Sequence, residues 1–410
     1  MIKKLREASM DLVILRPYAL SSGSSLANDR YFALAKSAIR RGFRVLLVAQ
    51  SFSHSSLRQR SSKDLQVVSD KYVFDRFISV PNYKKSTGLG RLFAELIYAF
   101  EAFIILVSLR PSRVLVGEPL FFTGWLALLY GFVFGKLVSC DLIDAWPEAL
   151  SIPKYHPFAL IAPFNILCFP LVASRSLRLV LYKRVFTVSE SYISLIPRSV
   201  RNRVKVFYWC SQTFSNMATH VPNELNPYQF GPGSPFVISY AGSLGSGYDI
   251  LTIIEAALIL EQRFPGCFIF KIAGGGHKSI LFDQINAKNI FFLGYLPSSE
   301  VRAVLSSSNS MLLPYAPNSA VAMPIKFFDA INLQLPVVSS LGLEAGDLIT
   351  RYKIGTFYQA QNPESLAEAI INIRESYQSY SQNSREFFDR FSGVYASSGT
   401  YDKFAVELMG

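Results

Sequence analysis

A strand–helix rhythm runs through this chain, breaks once, and starts again. Short β-rich runs alternate with amphipathic or apolar helical stretches, which confines the chain to α/β folds built on doubly wound parallel sheets. The first run is DLVILRP (Asp11–Pro17), then a polar loop, then a helix over Arg30–Arg41 with apolar Phe32, Leu34, Ala35, Ala38 and Ile39. Gly42 ends that helix and RVLLVAQ (Arg44–Gln50) follows as a strand. RVLVGEP (Arg113–Pro119), LVSCDLID (Leu137–Asp144), RVFTVSE (Arg184–Glu190) and VKVFYWC (Val204–Cys210) are further strands. Residues 211–235, rich in Asn, Pro, Gly and Ser, have no period and read as a linker.

After the linker the rhythm is cleaner. FVISYAGS (Phe236–Ser243) leads into a helix over Asp249–Phe264, and FIFKIAGG into His277–Ala287. IFFLGYLP leads into Ser298–Ser308, MLLPYA into Met323–Leu333, and PVVSS into Leu343–Tyr352. GTFYQ, a helix over Pro363–Tyr377 and a terminal helix around Ser384–Phe391 complete the pattern. The expected organisation is an N-terminal domain over 1–212, a linker over 213–235 and a second domain over 236–378. Residues 379–410 are expected to return as helices to the first domain.

Half of the 410 residues are hydrophobic and 17% are charged, enough apolar surface to fold and too little polarity for disorder. Cys140, Cys168, Cys210 and Cys267 lie far apart with no C-x-x-C, so the expected setting is a reducing, intracellular one. Four histidines without H-E-x-x-H give no sign of a zinc enzyme. Residues 1–200 hold 26 Lys and Arg against 13 Asp and Glu, whereas residues 201–410 hold 15 against 16. The positive surplus therefore sits in the half that also holds the most apolar stretches. That pairing suits an anionic membrane face better than nucleic acid, for which no reader motif is present. Leu92–Leu109 contains Glu95 and Glu101; Leu120–Gly135 is uncharged for 16 residues; Pro157–Ala173 is uncharged for 17 but carries three prolines. A spanning helix needs about 20 apolar residues, so peripheral docking or burial is expected rather than crossing.

Candidate chemistry gathers at the carboxyl ends of strands, where such sheets bind ligands. The loop SSGSS (Ser21–Ser25), with Ser22, Gly23 and Ser24, is either an anion-binding turn before the first helix or an ordinary βα connection. AGSLGSGYD (Ala241–Asp249), with Gly242, Ser243 and Gly245, and AGGGH (Ala273–His277), with Gly274, Gly275 and Gly276, are two similar loops in successive βα units. Their glycines allow close backbone approach to a ligand. In AVAMPIKFFDAINLQLPVV, Lys326 and Asp329 are three apart on one helix face. They suit a diphosphate and a ribose respectively, or else form a surface ion pair with each other. Asp144 and Glu148 flank Trp146-Pro147 at a strand end, placed to orient or deprotonate a hydroxyl; Glu148 is equally a first-turn helix residue. His54 and Arg58 lie just past the second strand, as a phosphate grip or as solvated loop charges.

In this order the motifs resemble the retaining GT-B glycosyltransferases of bacterial capsule, exopolysaccharide and O-antigen synthesis. NDRYFALAKSAIRRGFRVLLVAQSFSH is similar to that family's first helix and second strand, and DLIDAWPEAL to its D-x-W-P-E segment. RVFTVSESYISLIP, YAGSLGSGYDILTIIEAALIL, IAGGGH, IFFLGYLP and MPIKFFDAINLQLPVV resemble later family segments. The resemblance implies two Rossmann-like domains facing a cleft. It also implies sugar transfer from a nucleotide diphosphate sugar with retention, and no cofactor or obligatory metal. By the same resemblance Asp329 holds the ribose and Lys326 the diphosphate, the Gly242 and Gly274 loops line the donor, and Gly23 approaches the diphosphate from the other domain. The expected acceptor is a lipid-linked glycan or oligosaccharide, reached by a cytoplasmic enzyme peripheral on the inner membrane face. Two departures stand out: Val321 occupies the place of a family glutamate eight residues before Asp329, and the usual Arg and Lys after Gly242 are absent. Arg16, Arg30 and Arg58 are the basic residues expected to assist Lys326. A non-catalytic subunit of this fold and a sugar-nucleotide epimerase are the alternatives.

Overall fold

The computed structural model describes residues 9–18, 29–53, 58–60, 73–83, 88–146, 162–210, 234–283, 285, 287–317, 319, 321–395 and 397–410. Contacts divide the chain into two compact units, Met1–Tyr208 with Gly399–Gly410, and Trp209–Ser398. Most of the expected linker lies outside the described residues.

In the first unit the strands are β1 (Leu12–Leu15), β2 (Val45–Gln50), β3 (Phe52–Ser53), β4 (Arg58–Gln59), β5 (Val73–Ile78), β6 (Arg113–Glu118), β7 (Leu137–Leu142), β8 (Arg184–Thr187) and β9 (Val204–Val206). Seven of them form one parallel sheet in the order β5-β2-β1-β6-β7-β8-β9, and β3 and β4 pair antiparallel beside it. The chain thus starts mid-sheet, winds out to β5, crosses back to β6 and winds out the other way. β1 and β2 are buried along their whole lengths, as parallel strands covered on both faces must be. The helices are α1 (Arg30–Arg40), α2 (Leu89–Leu109), α3 (Phe121–Phe134) and α4 (Ala162–Leu181). Asp29 caps α1 by accepting from the amides of Tyr31 and Phe32. Because crossovers are right-handed, α1 covers one face and α2, α3 and α4, which all accompany steps in the opposite direction, cover the other.

The second unit repeats the plan. Strands β10 (Phe236–Ala241), β11 (Phe268–Ala273), β12 (Ile290–Gly294), β13 (Ser310–Leu313), β14 (Val337–Ser339) and β15 (Gly355–Phe357) form a parallel sheet ordered β12-β11-β10-β13-β14-β15. Its helices are α5 (Ile250–Arg263), α6 (Ile280–Asp283), α7 (Ser298–Ser306), α8 (Ile325–Asn332), α9 (Leu343–Tyr352), α10 (Pro363–Glu375) and α11 (Tyr377–Tyr395). The core under α5 and α10 joins Ile238, Tyr240, Ile253, Leu260, Ile272 and Ile370. Both units are doubly wound parallel α/β structures, as expected from the rhythm.

Several boundaries differ from the sequence reading. β5 has no counterpart in the apolar pattern of the sequence, because Asp75 and Arg76 break the run of VFDRFI. The strand at VKVFYWC is only Val204–Val206. The expected helix at His277–Ala287 is a 3-10 turn, His277–Ser279, followed by the single turn α6. The last helix, α12 (Ser397–Met409), lies within the helical return expected over 379–410. The return to the first unit begins at Gly399, not at 379. α11 stays with the second unit because Phe387 is buried against Phe327 and Tyr352, ring centroids 6.4 and 5.0 Å away. α12 joins the first unit through Phe404, stacked on Phe207 at 4.8 Å, and through Asp402, which takes Arg40 and Arg41.

Candidate functional site

The glycine loops of the second unit are zipped to each other. The Gly242 amide donates to Ala273 (2.9 Å), Leu244 to Gly275 (2.9 Å), Gly274 to Gly294 (2.7 Å) and Lys278 to Leu244 (3.0 Å). The strands β10, β11 and β12 therefore end in a continuous backbone lattice. A Cβ on Gly274, whose φ is +148°, would stand 1.8 Å from the Gly242 carbonyl oxygen, and one on Gly276 would stand 2.6 Å from Leu244. Packing of loop on loop already requires glycine at both positions, with no ligand invoked. Gly275 and Gly247 instead face open space. Gly245 closes the turn that receives the Tyr248 amide at 3.2 Å, and the Ser243 carbonyl accepts from the Tyr240 hydroxyl at 2.6 Å.

Lys326 comes to this lattice from α8. Pro324 stands at the N-cap, so Lys326 lies in the first helical turn. There the helix dipole disfavours a cation. Its stem crosses Gly242: a Cβ there would lie 2.1 Å from the lysine Cε. The ammonium sits 4.6 Å from the Tyr248 ring centre, 5.6 Å from Tyr240 and 5.9 Å from Tyr315, and reaches the Tyr248 hydroxyl at 3.3 Å. Aromatic faces stabilise a cation without neutralising it. Among the described residues no carboxylate forms an ion pair with Lys326, so the surface pair with Asp329 does not form. Asp329 lies one turn further along α8, half-buried. A cation placed against a helix dipole and left formally charged in a tyrosine notch is arranged to receive an anion.

The three tyrosines escaped the sequence reading of the site. Tyr240 reads as a strand core residue, and Tyr315 comes from the β13 end, 75 positions away in the chain. Their association is tertiary: Tyr248 and Tyr315 form an isolated bridge, with ring centres 5.0 Å apart. Burial holds the Tyr240 hydroxyl far above its usual pKa, so it remains a donor. Asp249 is buried and holds the loop. It accepts from Thr252 at 2.7 Å and from the Gln361 amide at 2.8 Å. A cavity of about 500 Å³ beside the loops is lined by Asp249, Glu255, His277, Lys278 and Gln361, and reaches neither Lys326 nor Asp329.

In the first unit, Asp144 is exposed just past β7. Glu148, Gly23, Ser22, Ser24 and His54 lie outside the described residues, as does the Arg58 side chain, whose backbone pairs with Ser53 in the β3–β4 hairpin. Arg16 and Arg30 are not free to assist Lys326. Arg16 is buried in an ion pair with Asp29. Arg30, fully buried, binds Asp141 at 2.6 Å and the Tyr208 carbonyl at 2.8 Å. A guanidinium taken out of water needs such partners, so both arginines belong to the core. Among the described residues no group of three or more His, Cys, Asp or Glu side chains is arranged to hold a metal.

Two doubly wound parallel units, the second with glycine-rich βα turns and Lys326 at its strand ends, define the GT-B class of fold. Residues 235–376 match the family model described as Glycosyl transferases group 1. Among solved structures, the chain is similar to Anabaena HepE in complex with UDP-glucose, at 14% identity and a TM-score of 0.63, covering 97% of this chain and 98% of that one. It is also similar to WaaG, a glycosyltransferase involved in lipopolysaccharide biosynthesis (15%, TM-score 0.65, covering 97% and 100%). A Listeria monocytogenes protein described as a UDP-N-acetylglucosamine 2-epimerase matches at 11% and a TM-score of 0.55, covering 97% and 95%. No curated protein sequence matches the chain.

Proposed function

We propose that the protein is a hexosyltransferase-type glycosyltransferase that takes a sugar from a nucleotide diphosphate sugar, with retention at the anomeric carbon. The acceptor is a glycan carried on a polyprenyl diphosphate in bacterial surface polysaccharide assembly, met at the cytoplasmic face of the membrane. Lys326 carries the reading: its unneutralised ammonium lies over Gly242 among three tyrosines, within the segment that matches the group 1 model. The chemistry it supports is electrostatic. As the glycosidic bond to the diphosphate breaks, negative charge grows on the leaving oxygens, and a preorganised cation lowers the energy of that state more than of the substrate. Asp329 takes the ribose hydroxyls, and the open side of Gly275 lets the donor approach the backbone. HepE is recorded with UDP-glucose, which makes a UDP-sugar the first donor to try. Asp144 and Glu148 are the proposed groups at the acceptor hydroxyl. No metal takes part, so chelation with EDTA is expected to leave turnover unchanged.

The test is a thermal-shift series with UDP, GDP, ADP, dTDP and CMP on the wild type, Lys326→Ala and Asp329→Ala. A nucleotide at a hundred times its Kd adds about 2.7 kcal/mol of stability. One nucleoside diphosphate is expected to raise the melting temperature of the wild type and of neither variant. Stabilisation by no nucleotide would turn the assignment to a non-catalytic subunit, which Val321 at the family's glutamate position favours. Consumption of a nucleotide sugar without any acceptor would identify an epimerase instead.

A further inference from the structure

Three helices of the first unit turn an almost uncharged face to solvent. α2 packs against α3 and α3 against α4, in one layer on one face of the sheet. On α2, Leu89, Phe93, Leu96, Phe100 and Ile104 recur at spacings of three and four, which aligns them in one stripe. Their exposure runs from 41% to 84%. The opposite stripe, with Tyr98, Ile105 and Leu106, is buried, so α2 is apolar on both sides. α3 contains no charged residue and leaves Phe132 89% exposed. The only charges of α4, Arg175 and Arg178, point inward, while Phe169 and Leu181 stand out. Among the described residues Glu101 is the one exposed charge on the three helices. A helix covering a sheet ordinarily shows water a polar face.

The cations lie at one edge of this layer. α2, α3 and α4 run parallel, each leading into its strand, so their C-terminal ends share an edge. Arg110 caps α2, Lys136 follows α3, Lys183 follows α4, and Arg203 donates to the last turn of α4 at the Val180 carbonyl (2.7 Å). An apolar aromatic face bordered by cations is complementary to an anionic bilayer, with side chains at the acyl boundary and cations at the phosphates. A second copy of the chain would bring the same four cations to the contact, with only Glu101 in the layer to meet them. α2 is long and apolar enough to cross a membrane. Yet its Glu95 is buried in the fold, where it accepts from the amide of Phe122 at 2.8 Å. The helix is therefore held in the unit rather than released into lipid.

We infer that the outer face of α2, α3 and α4 is the surface by which this protein docks on an anionic phospholipid bilayer. The inference rests on the peripheral-membrane part of the function proposed above and is independent of the donor site. Its test is co-sedimentation with vesicles of phosphatidylglycerol in phosphatidylethanolamine, and with vesicles of phosphatidylcholine alone. The full chain is compared with Phe100→Glu/Phe132→Glu and with Lys136→Glu/Lys183→Glu. The wild type is expected to partition onto the anionic vesicles and weakly onto phosphatidylcholine. The aromatic pair should lose partitioning on the order of tenfold or more. The lysine pair should lose on the order of tenfold at low salt and become insensitive to salt. Melting temperature with and without UDP is read on every protein, so that unfolding and donor-site failure are seen separately. Vesicle binding without any nucleotide effect would leave this inference standing and sink the donor reading. No partitioning by the wild type, equal partitioning by the variants, or equal binding to phosphatidylcholine would overturn it. So would a lipid-free dimer, by light scattering, that Phe100→Glu/Phe132→Glu makes monomeric.

Discussion

At the scale of single residues, the glycines separate into two kinds. Gly274 and Gly276 are required by the protein's own packing, because each would drive a side chain into a neighbouring backbone. Gly275, between them, meets nothing within 4 Å. Gly274→Ala is therefore expected to cost about 3 kcal/mol or more in urea unfolding, since the neighbour is backbone and cannot swing aside. Gly275→Ala should fold within about 0.5 kcal/mol of the wild type and raise the KM for the donor. Equal effects of the two on stability would show that the loops are not zipped as described. In the sequence all three glycines look alike, as one AGGG run. The direction of each absent side chain depends on which backbone crosses behind it. The Lys326–Asp329 spacing was visible at once, but whether the two pair with each other was not, because Tyr240, Tyr248 and Tyr315 reach the lysine only when the strands align.

At the scale of elements, two buried charges join neighbouring helices and strands. Glu95, midway along α2, accepts from the amides of Phe122 and Thr123 and so caps α3 from the side. Burial pushes its carboxyl up to about 7, even though both backbone donors pull it down. The folded state thus binds a proton more tightly than the unfolded chain does. The corresponding stability is fully present below the unfolded value near 4.5 and is lost as pH rises through 7. Melting temperature is expected to fall across that window, and Glu95→Gln, which keeps an acceptor for both amides, should flatten the slope. At pH 8 the variant should be the more stable, by about 3 kcal/mol at most. The second joint is Arg30 of α1 against Asp141 of β7, a bidentate pair with neither side chain exposed. Arg30→Met strands a buried carboxylate and should cost about 3–5 kcal/mol in chemical denaturation. Arg30→Met/Asp141→Leu should recover most of that loss; if it does not, the arginine matters through its bond to Tyr208 instead.

At the scale of the whole molecule, the chain's end belongs to its beginning. α12 lays Phe404 on Phe186 and Phe207, and Arg184 donates to the carbonyls of Glu407 and Leu408, so residues 399–410 complete the first unit. A chain ending at Tyr395 should keep a cooperative second unit and lose the first, seen in calorimetry as the loss of one transition and in rapid proteolysis of residues before Tyr208. Loss of both transitions would mean that the units do not fold separately. What the amino-acid order determined by itself is the class: parallel α/β units in two halves, glycine turns at strand ends, and Lys326 and Asp329 on one helix face. Those features are local, because the strand period, the helix period and the conformational freedom of glycine act over a few neighbouring residues. The tertiary structure alone decided the tyrosine notch, the removal of Arg16 and Arg30 into the core, and the side of each apolar helix that faces out. It also decided the division between α11 and α12. Each of these depends on which distant segment supplies the partner, a counter-charge, a ring or a covering helix. No window of sequence contains both members of such a pair.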